Sequence, residues 1–484
     1  MHTAVPHRLA WRLVSAGALL TALGLGGLTA VRGQDQDETD LGLHPRTRAA
    51  LYRQAAPPRR SGDILQTLEE EMETPPATAE PPPASEEPAA PEKPAYESAA
   101  EKEKPLEEPA PEPWTLTNLF DNGEGGNTLK EAGVKISGHM QWGYQNNPDG
   151  AFTGNGPFLN QQEWGQFNLN QQYLFIEKIA DGSKGLGWGF RIDGMYGVDG
   201  NEGQSFGNVN PGHWDYLNGF DHGAYEFALP QAYGELAYGK WSAKIGHFYT
   251  IVGYEVVPST GQFFLSRQLT FWNSEPFTHT GILNSFKVND KFTLLAGYVY
   301  GMDSGFYQFQ SANSFLGGFT YQIDEKTAFV YSMIGGNLGW RGDGAINSVI
   351  LSRQWTPKFS TVHQFDVLGT DLRIGNGATG PAADFRDPAS FTPRDSTGLI
   401  NYAFYDIAKW LKAGIRFEWY KADSVSYYTL TGGVNIKPRQ NLLIRPEVRG
   451  MWSPGNHDTY TGVHGFSGQL FNQVVFGIDT ILTF

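Results

Sequence analysis

The chain has 484 residues, with 59 glycines, 29 prolines, 13 Trp, 22 Tyr, 31 Phe and no cysteine. The lack of Cys excludes disulfide frameworks, thiol nucleophiles and thiolate metal sites, and so much glycine and aromatic side chain fits β-structure with tight turns better than a helical enzyme. The net charge of -15 is uneven: residues 34–113 carry 19 acids against 8 bases, the remainder is only mildly acidic, and no basic face exists for a nucleic acid.

In chain order, residues 1–33 read as a secretory signal peptide. Arg8 and Arg12 precede a short apolar run from Leu13 to Leu28, and Val31–Gly33 offers a cleavage tripeptide. The run is short for a membrane helix, and no later stretch approaches one. Residues 34–113 form an acidic, Pro-rich tail that cannot bury enough apolar area to order itself. In polyproline conformation its Pro/Glu/Ala half spans on the order of 100 Å. Ile64, Leu65, Leu68 and Met72 stand at helical spacing and read as a frayed amphipathic turn.

From Gly133 the apolar period becomes two. Strands are expected at 134–144, 167–180, 186–198, 225–238, 241–248, 277–287, 291–301, 313–323, 326–335, 346–355, 358–369, 398–408, 410–421, 426–437, 440–452 and 469–484. Trp188, Phe190, Ile192 and Tyr196 oppose Arg191 and Asp193. Leu411, Ala413, Ile415, Phe417 and Trp419 oppose Lys412, Arg416, Glu418 and Tyr420. Leu442, Ile444, Val448 and Trp452 oppose Arg445, Glu447 and Arg449. Three segments, 326–335, 346–355 and 398–408, are apolar on both faces and leave their register open.

The connections alternate short and long. Short ones include 181–185, 239–240, 288–290, 324–325, 356–357, 409 and 438–439. Long ones are 146–166, 199–224, 249–276, 302–312, 336–345, 370–397 and 453–468, with 422–424 as a shorter exception. This rhythm and the even strand count predict an all-β fold: an antiparallel up-and-down transmembrane barrel of about 16 strands, residues 114–484, behind the disordered tail. Both barrel ends then lie on the periplasmic side with the tail. Charged rows face a lumen expected to hold water, so that inward polar residues need no dry partners.

The last strand, Gln473–Phe484, carries Val474, Phe476, Ile478, Leu482 and Phe484 on one face and resembles the closing strand of bacterial outer-membrane barrels, whose terminal aromatic is the address read by the barrel-insertion machinery. Gln231–Leu236, Lys244–Glu255 and Pro276–Gly281 extend the likeness. The C-terminal 370 or so residues resemble the OmpL-like β-barrel porin family of bacterial outer membranes. The resemblance implies a channel and no catalyst.

In a porin the working residues are charges at the constriction, and in trimeric general porins the third long loop folds inward. Here that loop, 249–276, holds Glu255, Arg267 and Glu275 among Phe263, Phe264, Leu265, Phe271 and Trp272, a composition that favours burial. The candidate pore-lining and constriction residues are Arg191, Lys244, Glu255, Arg267, Arg416, Glu418, Arg445, Glu447 and Arg449. Opposed charges on loop and wall would set up a transverse field. The row Arg445, Glu447, Arg449 is read first as ion pairing with Lys412, Arg416 and Glu418, and second as an anion-attracting ladder.

Catalytic readings fail. His279 and Ser285 lie six residues apart on one strand, roughly 20 Å, out of hydrogen-bond reach. No Gly-x-Ser-x-Gly, phosphate loop or metal-spaced histidine pair occurs, and Asp199–Gly203 reads as an ordinary turn more than a calcium grip. No cofactor or metal is expected. The expected function is passive diffusion of small hydrophilic solutes or ions across the outer membrane, with outer-membrane lipid as the surrounding partner, trimerisation by analogy to general porins, and cell-wall contact through the periplasmic tail. The alternative is a plugged structural or adhesive barrel whose long loops, 199–224 and 370–397, bind an external partner.

Overall fold

The computed structural model describes residues 115–120, 127–146, 165–207, 214–215, 218–222, 225–371, 393–422, 425–454 and 472–484. The expected signal peptide and acidic tail lie outside the described residues, as do most of the connections 146–166, 370–397 and 453–468.

Sixteen strands close into one antiparallel barrel. They are β1 (Val134–Gln145), β2 (Phe167–Lys178), β3 (Gly187–Gly197), β4 (Glu226–Tyr238), β5 (Trp241–Tyr249), β6 (Thr278–Asn289), β7 (Phe292–Val299), β8 (Asn313–Asp324), β9 (Thr327–Asn337), β10 (Asp343–Thr356), β11 (Phe359–Thr370), β12 (Asp395–Ala408), β13 (Leu411–Ala422), β14 (Val425–Arg439), β15 (Leu442–Trp452) and β16 (Gln473–Thr483). Each pairs with its sequence neighbours, and β1 pairs with β16. No sheet edge remains along the closed ladder, which is what an apolar solvent demands of a spanning β-structure. Among the described residues no helix is long and apolar enough to cross a membrane.

Alternation sets the two faces. On β3, Trp188 and Ile192 are exposed outward while Asp193 and Met195 are buried inside. On β13, Ile415 and Phe417 point out and Arg416, Glu418 and Tyr420 point in. On β16, Val474 and Phe476 are outward, whereas Val475 and Ile481, apolar residues on the opposite face, are inward and buried. The strands that read as apolar on both faces also resolve. Val330 and Ile334, Ile346 and Ile350, and Ile400, Tyr402 and Phe404 are buried inside, while Leu351, Leu399 and Tyr405 are exposed outside. Their inward apolar rows exist because loops pack on them within the barrel.

The seam between β1 and β16 is closed at the chain terminus. The Gly138 amide donates to the Phe484 carbonyl at 2.8 Å, the Phe484 amide returns a bond to Gly138 at 2.9 Å, and Ser137 Oγ adds a third bond to the Phe484 carbonyl at 2.7 Å. A Cβ at position 138 would sit 2.9 Å from the Phe484 ring and collide with the Tyr173 carbonyl. Below Phe484 the free edge of β1 is met by Thr117 from a 3-10 turn, Leu116–Phe120. Its Oγ1 accepts from the Ile136 amide at 2.8 Å and donates to the Ile136 carbonyl at 3.0 Å.

Candidate functional site

Residues 250–277 join β5 to β6, and they run inside the barrel. The segment includes a 3-10 turn, Ser259–Gly261, and a one-turn helix, Leu269–Asn273. Tyr254, Val256, Val257, Phe263, Phe264, Leu265, Leu269, Phe271 and Trp272 are all buried. A loop this apolar gains by leaving water. Val257, Leu269, Phe271 and Trp272 pack with Tyr173 of β2, Met195 of β3, and Tyr420, Tyr427 and Met451 of β13 to β15. Tyr254, Val256, Phe263 and Phe264 pack with Val330, Ile350, Val362, Ile400 and Phe404 of β9 to β12.

Polar side chains of the wall fix the backbone of this loop. On β2, Gln171 donates to the Val257 carbonyl at 2.9 Å and accepts from the Ser259 amide at 3.0 Å. On β15, Arg445 donates to the carbonyls of Ser259 at 3.1 Å and Gln262 at 2.6 Å while its other nitrogens bind Asp479 of β16 at 2.9 and 2.5 Å. Asp479 also accepts from Gln141 of β1 at 2.6 Å. Glu447 accepts from the Ser266 amide through both oxygens at 3.2 Å. On β13, Glu418 accepts from the Leu269 amide at 2.8 Å and from the Thr270 amide and hydroxyl at 2.7 and 2.8 Å, so this carboxylate caps the one-turn helix at the end where unpaired amides project. Arg416 pairs with Glu255 of the loop and donates to the Ser266 carbonyl at 2.8 Å.

Glycines on the same wall receive the loop's side chains. A Cβ at Gly414 of β13 would strike the Phe263 ring, and one at Gly398 of β12 would strike Thr270. A Cβ at Gly433 of β14 would lie 3.4 Å from Phe264, and one at Gly477 of β16 would lie 2.9 Å from Leu265. The loop-facing glycines of β12, β13 and β16 are therefore sockets, and that of β14 lies in ordinary contact with the loop. These glycines are functional positions that charge-centred reading of the sequence passes over. Their signal is a glycine on the inward face of a strand opposite an aromatic-rich loop.

The nine sequence-predicted residues divide. Glu255, Arg267, Arg416, Glu418, Arg445, Glu447 and Arg449 come together around the loop, and each is 5% exposed or less. The Arg267 guanidinium donates to the Val257 carbonyl at 2.9 Å and stacks near Phe271. Arg191 and Lys244 lie elsewhere and are partly open to water. Arg191, with 17% of its side chain exposed, binds Glu177 of β2 at 3.0 Å and Asp193 at 2.8 Å, and its guanidinium covers the Phe175 ring at 4.4 Å. The Lys244 ammonium is 4.9 Å from the Tyr233 ring.

Two expectations are corrected here. The partners of Arg445 and Arg416 are Asp479 and Glu255, not the neighbouring Lys412, Arg416 and Glu418 of the anticipated pairing; Lys412 lies 4.0 Å from Asp406 instead. Nor do the inward charges around the loop stand in water. They are buried against a packed loop, where an unpaired charge is prohibitively costly, and Glu255, Arg267, Arg416, Glu418, Arg445 and Glu447 each meet a donor or acceptor on the loop or the wall. Within the anion-attracting ladder, Arg416 and Arg445 each have an acid at contact distance.

A second junction forms at the long-loop rim. Wall residues His247 and His279 tie three connections together. His279 bonds the Gly301 carbonyl at 2.7 Å and Thr250 Oγ1 at 2.8 Å, while His247 bonds Thr280 at 2.8 Å and Ser205 at 3.3 Å. Thr280 donates onward to the Ser304 carbonyl at 2.8 Å. Asp303, in left-handed backbone at φ 54°, accepts from the amides of Phe277 at 2.8 Å and Thr278 at 3.1 Å and from the Trp340 indole at 3.2 Å. Burial pushes its carboxyl up to about 6 in spite of these donors. Val252, Met302 and Leu338 of three connections pack with Leu283, Leu295, Val299, Leu316, Ile334, Ile346 and Leu368 of the wall.

The described residues contain no group of His, Asp and Glu that would hold a metal ion, and His279 and Ser285 are separated along β6 as expected.

A closed barrel with a long loop bound inside it defines a porin-type architecture. The family model described as "putative beta-barrel porin-2, OmpL-like" matches residues 133–484, and the chain belongs to that family. No curated protein matches the chain in sequence. Among solved structures, the chain is similar to the outer membrane channel DcaP of Acinetobacter baumannii, at 10% identity and a TM-score of 0.47 over 73% of this chain and 98% of that one. It is similar as well to an anion-selective porin from Comamonas acidovorans, at 11% identity and a TM-score of 0.43 over 72% of this chain and 99% of that one. A triple mutant of the Rhodopseudomonas blastica porin gives 10% identity and a TM-score of 0.42 over 72% of this chain and all of its own.

Proposed function

We propose that the protein is a narrow diffusion channel of the bacterial outer membrane for small hydrophilic solutes or ions, with its bore set by residues 250–277. The observation that carries this reading is the attachment of that loop to β2, β11, β12, β13 and β15 by hydrogen bonds to wall side chains. A loop so held is a fixed constriction and not a swinging gate. Arg416, Glu418, Arg445, Glu447, Arg449, Glu255 and Arg267 position it, while Arg191 and Lys244, which keep contact with water, border the solute path. The short-turn end faces the periplasm with the acidic tail, which reaches toward the cell wall once residues 1–33 are removed. Phe484 is the residue read during insertion, and a homotrimer is the expected assembly.

A planar bilayer containing the chain without residues 1–33 tests the reading. Small, steady single-channel steps that grow several-fold in Arg445→Ala support it. A folded, heat-modifiable protein that is silent both as wild type and as Arg445→Ala overturns it. That outcome would favour a plugged structural or adhesive barrel, a reading supported by the dry cluster of Leu316, Ile334 and Ile346 beneath Met302 and Leu338.

A further inference from the structure

The short-turn rim carries an outward belt of aromatic side chains. Trp188, Tyr238, Tyr321, Trp355, Tyr405 and Trp410 are 41% to 61% exposed, and each lies at the turn-proximal end of its strand or in the turn itself. Such rings favour the headgroup layer, where an apolar body and a polar edge are both satisfied. The belt runs from β3 to β13 and then stops. Between β14 and β2 the described wall residues at this rim include no exposed aromatic: Phe175 is turned inward under Arg191, and Phe484 is half-buried.

That gap is where Leu116–Phe120 sits. Thr117 occupies the free edge of β1 in line with β16, just beyond Phe484, through its two bonds to Ile136. Asn127 holds the turn from below, donating to the Thr117 carbonyl at 2.8 Å while its side-chain oxygen caps the helix Thr128–Glu131. The turn is thus pinned into the wall by two polar residues that are themselves buried, Thr117 at 2% and Asn127 at 6% exposure. The same turn leaves Leu119 66% and Phe120 52% exposed. Two large apolar side chains held open to solvent by a rigid support are not explained by packing within the chain.

We infer that Leu119 and Phe120 insert into the periplasmic leaflet and complete the interfacial belt across the β1–β16 seam, so that the lipid surface is their partner. Continuity with the belt on either side identifies that partner: Leu119 and Phe120 occupy a stretch of this rim whose described wall residues include no exposed aromatic, Phe484 being half-buried. The insertion also fixes where the acidic tail leaves the barrel, at the headgroup plane beside the closing strand. This inference rests on the outer-membrane reading proposed above.

The absence of native cysteine allows a clean test. Phe120→Cys, Lys130→Cys and Ile192→Cys, each in the chain lacking residues 1–33, are spin-labelled and refolded into phospholipid vesicles. Collision rates with oxygen, which partitions into lipid, and with a water-soluble nickel chelate are then compared. Ile192 is an outward β3 residue and reports the bilayer, while Lys130 lies on the adjoining helix and reports water. The expected result is an oxygen-to-chelate ratio at position 120 several-fold above that at 130 and approaching that at 192. A ratio at 120 equal to that at 130, with 192 in lipid, overturns the inference and leaves the membrane barrel standing. Water-like ratios at both 120 and 192 overturn the two together. Leu119→Cys, labelled and refolded in the same way, provides a second check: its oxygen-to-chelate ratio should lie several-fold above that at 130. A ratio at 119 equal to that at 130 counts against insertion.

Discussion

Two halves of the wall hold the interior loops by different physics. From β13 to β16 the inward face presents Arg416, Glu418, Arg445, Glu447 and Asp479, each bonded to a specific loop atom or to a charged partner. From β6 to β11 it presents Leu283, Leu295, Leu316, Ile334, Ile346 and Leu368 to Val252, Met302 and Leu338. Apolar burial is strong but non-directional. Buried ion pairs contribute little net stability because desolvation offsets their attraction, yet breaking one leaves a stranded charge. The difference teaches that the apolar half supplies adhesion and the charged half supplies position. Only the second can define the bore of a channel to within an ångström.

The comparison breaks most severely at Arg445. Arg445→Ala leaves Asp479 unpaired and two loop carbonyls without their donor, and the expected loss is about 3–5 kcal/mol. The heat-modification midpoint on a gel should fall and conductance should rise together. Gly414→Leu comes next: a side chain in the socket of Phe263 costs roughly 1–3 kcal/mol by overpacking and should displace the loop, read as a change in conductance with β-sheet content unchanged by circular dichroism. On the apolar half, Ile346→Val is expected to cost about 0.5–1.5 kcal/mol and to lower the midpoint while single-channel current stays at the wild-type value. A current change there equal to that of Gly414→Leu would erase the distinction between the halves.

The smallest effect is a pH dependence at Asp303. Its folded value of about 6 lies above that of an unfolded aspartate, so the folded state holds a proton that the unfolded state releases. The associated stability is fully present below about pH 4 and is lost as pH rises through about 6. The midpoint of the wild type should therefore decline relative to Asp303→Asn over that window. Parallel profiles for the two proteins would remove Asp303 from the loop junction.

The sixteen strands were legible because a membrane-spanning barrel imposes period two on every crossing and alternates turn lengths. The expected strand 358–369 and the observed Phe359–Thr370 differ by one residue at each end. Strands β9, β10 and β12 were legible as strands but not in orientation, since period two carries no sign when both faces are apolar. The site was legible as a set of inward charges and an aromatic loop. Its pairing was not: Arg416 meets Glu255 across 161 residues and Glu418 meets Leu269 across 149. The sockets at Gly414 and Gly477 were hidden because a glycine in a strand looks the same whether it faces lipid or a phenylalanine.

The sequence by itself determined the barrel: strand number, the outward apolar rows, the rhythm of the connections and the closing Phe484. These are local properties, written residue by residue under the demand that every backbone group be satisfied in lipid. Only the tertiary structure decided that the interior is occupied, that Glu418 caps a helix within the loop and that Thr117 extends the seam below Phe484. Those outcomes depend on which side chains converge when sixteen strands close, and convergence at such separations is set by the register and curvature of the barrel, not by any local pattern.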